Sequence, residues 1–135
     1  MIGVDTNVIF PLSVRSAESP AALALREKDD VWRTEPFALI EMSNVLASYQ
    51  RQKFLTASEA VRHLESAERF LGPHLFPVSH HDALEKALRY GITAYDARFL
   101  AVAEALGVRL VTEDVRLRSA APDLTQSLAE AARAS

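Results

Sequence analysis

Short apolar runs alternate along this chain with longer segments of helical periodicity. The clearest short runs are residues 2–4 and 108–112, and weaker ones cover residues 31–34 and 75–78, the last interrupted by Pro77. Strands separated by helices pair in parallel through right-handed crossovers, and helices then cover both faces of the sheet. The alternation therefore predicts an α/β fold with a short parallel β-sheet and α-helices on both faces.

Start and stop signals delimit the helices. Three segments begin with the spacing of a capping box, in which Ser or Thr stands three positions before an acid, as in Thr56-Ala-Ser-Glu59. Glycines follow several of the helical segments. The predicted helices cover roughly residues 19–28, 36–52, 56–71, 79–90 and 93–106, with a short helix from about residue 113 and a helical, Ala-rich tail from residue 125.

Length and charge bound what the chain can be. Its 135 residues, 49% of them hydrophobic, suit one globular domain over residues 1–135 with a core that needs no staples. The formal net charge of −3 excludes nucleic-acid binding by overall positive charge. Contact with phosphate would need a metal ion, a local basic surface or a partner protein.

Targeting signals and cysteines are missing from the sequence. It contains no cysteine, no apolar run near the roughly 20 residues of a membrane span, and no basic leader before its first apolar residues. Zero cysteines exclude a disulfide framework and a thiolate zinc site. We therefore expect a soluble protein of the cytoplasm without a membrane partner.

Acidic residues stand where the strands of the predicted sheet end. Asp5 follows the first strand directly, Asp114 lies two residues beyond the last predicted strand, and Asp96 begins the helix that leads into that strand. In open parallel sheets, ligands bind outside the carboxyl ends of the strands. Each acid also has a structural explanation, because Asp5 can cap a helix, Asp96 can complete a capping box, and Asp114 can complement a helix dipole.

Glu41 is unusual because it lies within a predicted helix. It falls in the row of Phe37 and Val45, one turn before and after it, so apolar neighbours flank the carboxylate. Burying an unpaired charge is costly, so Glu41 either faces a polar cavity or pairs with a buried Arg. Four carboxylates around one cavity would repel each other, and hard divalent cations such as Mg²⁺ or Mn²⁺ neutralise such a cluster.

The same residues resemble those of the PIN-domain ribonucleases, and most nearly the VapC-type toxins of toxin–antitoxin pairs. The resemblance spans nearly the whole chain, and its motifs keep their order and spacing. They are Val4-Asp5-Thr6-Asn7-Val8-Ile9, the Glu that ends residues 36–41, the run from Thr93-Ala-Tyr-Asp96 to Gly107, and Leu110-Val-Thr-Glu-Asp114.

The resemblance implies that Asp5, Glu41, Asp96 and Asp114 form the acidic tetrad of a metal-dependent endoribonuclease. It further implies Mg²⁺ or Mn²⁺ as cofactor, RNA (tRNA among the common targets) as substrate, a homodimer, and a small antitoxin encoded beside the gene. Two other interpretations stay open. One is a non-catalytic PIN-like module that binds RNA or protein, and the other is an Asp-based phosphotransfer protein, although Asn7 stands where a phosphatase would carry its second Asp.

Overall fold

The computed structural model describes residues 1–133 and confirms the α/β class. Within these residues it has four β-strands and eight α-helices; residues 134 and 135, the end of the predicted tail, lie outside the described residues. The elements are β1 Ile2–Val4, α1 Thr6–Ser13, α2 Ser19–Lys28, β2 Trp32–Arg33, α3 Phe37–Arg51, α4 Ala57–Leu71, α5 His80–Tyr90, α6 Ala94–Leu106, β3 Leu110–Val111, α7 Val115–Ala120, β4 Thr125–Gln126 and α8 Leu128–Arg133.

The strands form one parallel sheet in the order β2-β1-β3-β4. Gly3 of β1 is paired with Leu110 of β3, and Val4 with Val111. Successive strand residues point to opposite faces, and both Leu110 and Val111 are buried, so helices cover both faces of the sheet. The chain leaves β1 towards β2 on one side, while β3 and β4 lie on the other. The carboxyl ends of β1 and β3 therefore form the switch point of the sheet.

Two predictions about elements were wrong. Residues 75–78 form no strand, because only Leu75 makes an isolated parallel bridge with Thr34, and Pro77 has no N–H to continue the pairing. The tail is not helical from Thr125, since Thr125 and Gln126 pair with β3 as the edge strand β4 and helix α8 begins only at Leu128. A two-residue strand carries too little pattern to be read from sequence.

The helix starts follow the predicted capping chemistry. At α4 the full capping box is present, with the Thr56 hydroxyl accepting from Glu59 N–H and the Glu59 carboxylate accepting from Thr56 N–H. At α5 and α6 the hydroxyls of Ser79 and Thr93 accept from the N–H groups of Asp82 and Asp96. The Thr93 cap sets where α6 begins and so positions Asp96 in its first turn.

The core brings β1 and β3 close together beneath α6. Trp32, Met42, Phe99 and Leu100 are among the fully buried side chains that fill it. A Cβ atom at Gly3 would lie 3.3 Å from the Arg109 carbonyl oxygen and 3.6 Å from Ala103 Cβ, so this close approach favours glycine. Among residues 1–133 no helix has the length and apolar content needed to cross a membrane.

Candidate functional site

A cavity of about 460 Å³ opens at the switch point of the sheet. All four acids singled out in the sequence line it, together with two further acids and a polar and apolar remainder. Its lining residues are Asp5, Glu18, Glu41, Asp96, Glu113, Asp114, Thr6, Asn7, Ser16, Phe10, Pro11, Val45 and Tyr49. The lining thus holds six carboxylates and neither Lys nor Arg.

Asp5 lies at the end of β1 and is the most buried of these acids, with 5% of its surface exposed. Its Oδ1 accepts from Thr6 N–H at 2.7 Å, which makes it the N-cap of α1. Its Oδ2 accepts from the Thr112 hydroxyl at 2.8 Å, across the gap between β1 and β3. Asp5 is therefore a helix cap and a cavity residue at once, because its two oxygens serve different partners.

Glu41 faces the cavity from α3. No buried Arg pairs with it within residues 1–133, and its Oε1 instead accepts from the Thr6 hydroxyl at 2.6 Å. Partial burial raises the pKa of Glu41, the Thr6 hydrogen bond lowers it, and the nearby Asp96 raises it again. The alternative of a buried Glu41–Arg pair was wrong, and the polar-cavity alternative holds.

Asp96 and Asp114 complete the ring of acids from α6 and from the loop after β3. Burial and the neighbouring Asp114 raise the pKa of Asp96, while Thr93 lowers it. Asp114 caps α7, and both N–H groups that it accepts, from Arg116 and Leu117, bind Oδ1. Its capping role therefore uses one carboxylate oxygen and leaves the second oxygen out of the cap.

The electrostatics of the cavity are those of an anion-lined site. Burial raises the pKa of Asp5 to about 7; hydrogen bonds from Thr112 and Thr6 lower it, and the charges of Glu41 and Asp96 raise it. A lining of six acids without a cation repels phosphate. Its all-oxygen donor set suits a hard divalent cation.

The cavity suits a metal ion through the chemistry of its donor atoms, which are carboxylate oxygens. As the side chains stand, no three His, Cys, Asp or Glu residues between positions 1 and 133 are arranged to hold one ion together. Mg²⁺ usually keeps several waters and binds proteins through only one or two carboxylates, so a looser arrangement of acids is compatible with it.

Three polar residues that hold the acids in place were not singled out from the sequence. Thr6 bonds Glu41, and the Thr112 hydroxyl both donates to Asp5 and accepts from Asp114 N–H at 3.1 Å. Asn7 accepts from Glu113 N–H at 3.1 Å and so ties the start of α1 to the end of β3. Each stands within two positions of Asp5 or Asp114, and this closeness in the sequence could have indicated them as site residues.

A buried ion pair does exist nearby, but it belongs to Glu35. Arg98 Nη1 lies 3.1 Å from Glu35 Oε2, and the other Glu35 oxygen accepts from Phe37 N–H at 2.7 Å at the start of α3. Arg98 is two residues beyond Asp96 on α6. The pair therefore ties the helix that carries Glu41 to the helix that carries Asp96.

Fold and cavity together define a class of protein: a parallel α/β domain with a carboxylate-lined cleft at the carboxyl ends of its central strands. Comparison with known proteins identifies the family. The family model for the PIN domain matches residues 2–122, and the chain belongs to the PIN-domain family. It is 32% identical over 124 residues to Ribonuclease VapC3 of Pyrobaculum aerophilum, covering 90% of this chain and 95% of that protein, which places it with the VapC-type members.

Solved structures share the fold. The crystal structure of PAE2754 from Pyrobaculum aerophilum superimposes with a TM-score of 0.72 at 23% identity, covering 97% of this chain and 92% of that one. The structure of FitAB bound to an IR36 DNA fragment gives a TM-score of 0.68 at 22% identity, covering 95% of each chain. At these identities the likeness concerns the fold.

Proposed function

We propose that this protein is a metal-dependent endoribonuclease and the toxin of a type II toxin–antitoxin system. The observation that carries the proposal is the cavity at the switch point, which gathers Asp5, Glu41, Asp96 and Asp114 without a single cation. Such a cavity receives a phosphodiester only with a divalent ion between the two sets of anions. The similarity to Ribonuclease VapC3 supports RNA as the substrate.

The four acids have distinct roles in this proposal. Asp5, Asp96 and Asp114 hold Mg²⁺ or Mn²⁺, and Glu41 shapes the site and orients the attacking water. When bound, the ion lowers the pKa of a water and stabilises charge on the leaving oxygen. Thr6 keeps Glu41 in place through its 2.6 Å hydrogen bond, and Thr112 does the same for Asp5 at 2.8 Å.

Cleavage of RNA by the purified protein tests the proposal. We expect structured RNA to be cut with Mg²⁺ or Mn²⁺, EDTA to stop the reaction, and Asp96→Asn to lower the rate at least about 100-fold. Thr93→Ser, which keeps the helix cap next to Asp96, is the matched control and should retain activity. Cleavage that survives both EDTA and Asp96→Asn would refute a metal-dependent site. Sequencing the new 5′ ends in cellular RNA would identify the target, with tRNA as the first candidate.

The partners follow from the same assignment. We propose that the protein acts in the cytoplasm, that a small antitoxin encoded beside it inhibits it, and that it forms a symmetric homodimer. Leu46 of α3 is covered by the protein's own core, where it is 3% exposed. The exposed apolar residues that a second copy could cover are Ile40 on α3, Leu84 and Leu88 on α5, and Tyr95 on α6.

The phosphotransfer alternative finds little support in the site. A receiver-like protein needs a lysine beside its acceptor Asp, whereas no Lys lines the cavity. Lys86, the last lysine of the sequence, is buried between Glu85 and Glu104 at 2.6 and 2.7 Å, where α5 meets α6. A non-catalytic PIN-like module remains the alternative, and the absence of cleavage by well-folded protein that still binds RNA would favour it.

A further inference from the structure

A second cavity, of about 600 Å³, adjoins the acidic one. Tyr49 of α3 lines both cavities, and the chain passes from one to the other between Arg15, which lines the second, and Ser16, which lines the first. The second cavity differs in charge, since its lining includes Arg15 and His63 and no acid. A ligand that extends out of the acidic cavity on this side therefore meets a cationic, aromatic surface.

A row of three aromatic rings connects the two cavities. Phe10 in the acidic cavity and Tyr49 have ring centroids 5.2 Å apart, and Tyr49 and Phe54 in the second cavity are 5.7 Å apart, both edge to face. Phe54 is 67% exposed, so most of this ring is in contact with water. An aromatic ring in water beside a cavity offers a surface on which a nucleobase can stack.

The backbone that presents Phe54 is strained. Helix α3 ends in a Schellman motif, with Lys53 N–H bonded to Gln50 O at 3.0 Å and Phe54 N–H to Tyr49 O at 2.9 Å. The motif places Lys53 in the left-handed region at φ 64°. Helices α5 and α6 also end on a residue with left-handed backbone, and there the residue is a glycine, Gly91 and Gly107 respectively. A lysine there costs stability, and strain of this kind concentrates at functional positions.

Exposed cations stand near Phe54, either in the lining of the same cavity or next to it in the chain. Arg15, Arg51 and Lys53 are exposed, and none forms a salt bridge with another side chain in the part of the chain that the structure describes. A protein of net charge −3 with an acid-lined cleft repels RNA, so cations outside the cleft must hold the phosphates that flank the bond to be cut. Arg15 lines the cavity that continues from the cleft, and Lys53 directly precedes Phe54, which also lines it.

We propose that Phe54, with Lys53 and Arg15 beside it, forms a subsite for an unpaired base and its phosphate in single-stranded RNA that leaves the acidic cleft. This rests on the proposed ribonuclease function and gives its substrate a defined feature, an unstacked nucleotide on one side of the scissile bond. Phe54 stacks the base, and the two cations bind the backbone. Because every base has a π-face, the subsite selects single strands rather than a particular base.

An apolar helix of a partner protein is the competing occupant, and the observations favour RNA. An amphipathic helix needs a row of aliphatic anchors along a groove. The lining of this cavity has only two aliphatic residues, Val14 and Leu55, and it also contains Arg15 and His63. The exposed cations attract a polyanion. At Lys53 the chain has a charged residue at a left-handed position where glycine would fit better.

Fluorescence of 2-aminopurine placed within short oligouridylates tests the subsite without cleavage. The full chain carrying Asp96→Asn holds the RNA uncut, and stacking of the 2-aminopurine on Phe54 should quench its emission. We expect Phe54→Ala to abolish the quenching and Phe54→Trp to keep it. In otherwise unsubstituted protein, Phe54→Ala should raise the KM for single-stranded RNA roughly 5- to 150-fold with kcat unchanged, the loss of one base–aromatic stack. Val61→Ala, an exposed apolar residue of α4 outside both cavities, should change neither value.

The outcomes separate the two proposals. If the protein cleaves RNA but Phe54→Ala alters neither quenching nor KM, or if it cleaves RNA while no oligouridylate is quenched, the subsite is refuted and the nuclease stands. If no RNA is cleaved yet quenching depends on Phe54, the subsite stands and the ribonuclease function fails. If the Phe54→Leu variant binds RNA as tightly as the Phe54→Trp variant, the surface recognises apolar area, as a peptide site would, and base stacking is refuted.

Discussion

At the scale of single residues, Asp5 shows how one side chain serves both fold and site. Its Oδ1 caps α1 through Thr6 N–H, and its Oδ2 receives the Thr112 hydroxyl across the gap between strands. Both hydrogen bonds favour the charged form, yet burial outweighs them and raises the pKa of Asp5 to about 7. Without a cation, the ionised carboxylate is therefore a source of instability at neutral pH.

The pH dependence of the metal-free protein should report this. The pKa of Asp5 is higher in the folded chain than its ordinary value of 3.8, so the folded state binds the extra proton between these values. In EDTA, stability should fall as the pH rises from about 4 to 7 and then level off. Asp5→Asn should flatten this part of the curve and melt higher at pH 8, by roughly 4 °C for each ~1 kcal/mol relieved.

Asp29→Asn is a control whose effect on the melting temperature at pH 8 should be opposite to that of Asp5→Asn. A hydrogen bond from the N-terminal amine, at 2.5 Å, and another from Val31 N–H lower the pKa of Asp29 against a partial burial that raises it. Stability from such a group is present above its ordinary pKa and is lost as the pH falls through the lowered value. Asp29→Asn should therefore melt lower than the unsubstituted chain at pH 8. Equal melting curves for the Asp5→Asn variant and the unsubstituted chain between pH 4 and 8 would contradict the account of the cavity.

At the scale of elements, helix ends position the site. The Thr93 cap places Asp96 in the first turn of α6, the pair of Glu35 and Arg98 joins α6 to the start of α3, and Asp114 begins α7. Asp5, Asp96 and Asp114 thus stand at element boundaries, where orphan N–H groups attract carboxylates and where loops open towards solvent. The helix end at Lys53 is the exception, because its local geometry opposes its residue type.

Lys53→Gly should stabilise the protein while Gln52→Gly should not. The left-handed conformation costs a non-glycine residue about 1–2 kcal/mol, against roughly 0.5–1 kcal/mol for the added freedom of glycine in the unfolded chain. The difference is a net gain of about 0 to 1.5 kcal/mol, and a gain of ~1 kcal/mol corresponds to a melting temperature roughly 4 °C higher. Gln52, at φ −83°, has no such strain to relieve and only adds flexibility. A Lys53→Gly variant that melts no higher than the parent would show that Lys53 is not strained.

At the scale of the whole molecule, four of the nine large apolar residues that are exposed between positions 1 and 133 lie on α3, α5 and α6. Tyr95 stacks on Phe37 at 5.3 Å, which links the start of α6 to the start of α3, and α5 packs against α6. Leu88 is 76% exposed and Ile40 is 63% exposed. A surface of this kind on a small domain is typical of a protein–protein interface, and a symmetric one closes as a dimer.

Light scattering at tens of micromolar should give the mass of a dimer. Leu88→Glu should convert it to a monomer, because it places a charge beside Leu84 among the exposed apolar residues of α5. Val61→Glu, which adds the same charge at an exposed site on α4, should leave the dimer intact. A monomeric unsubstituted chain would contradict the dimer without affecting the cavity.

The features that could be predicted from the sequence are those that local sequence patterns determine. The α/β class, the main helices and the capping box at Thr56 depend on periodicity and on hydrogen bonds between residues three positions apart, and the structure confirms them. Asp5 and Asp114 could be singled out because they stand near strand ends, and Asp96 because it begins the helix before the last predicted strand. Glu41 could be singled out because it interrupts an apolar row on a helix, and the motifs of all four resemble those of PIN domains. Strand β4 was missed because two residues carry no period, and its pairing with β3 depends on a partner distant in sequence.

Only the tertiary structure decided which partners the acids have. Thr6 and Glu41, which form a hydrogen bond, are 35 positions apart in the sequence, and Thr112 and Asp5, which form another, are 107 positions apart. The choice of Glu35 rather than Glu41 as the partner of the partly buried Arg98, and the exposure of Phe54 beside the cavity, are also long-range outcomes. The sequence determined which groups could bind a cation; burial and contact across the sheet, which arise only when distant segments pack, decided their charge and surroundings.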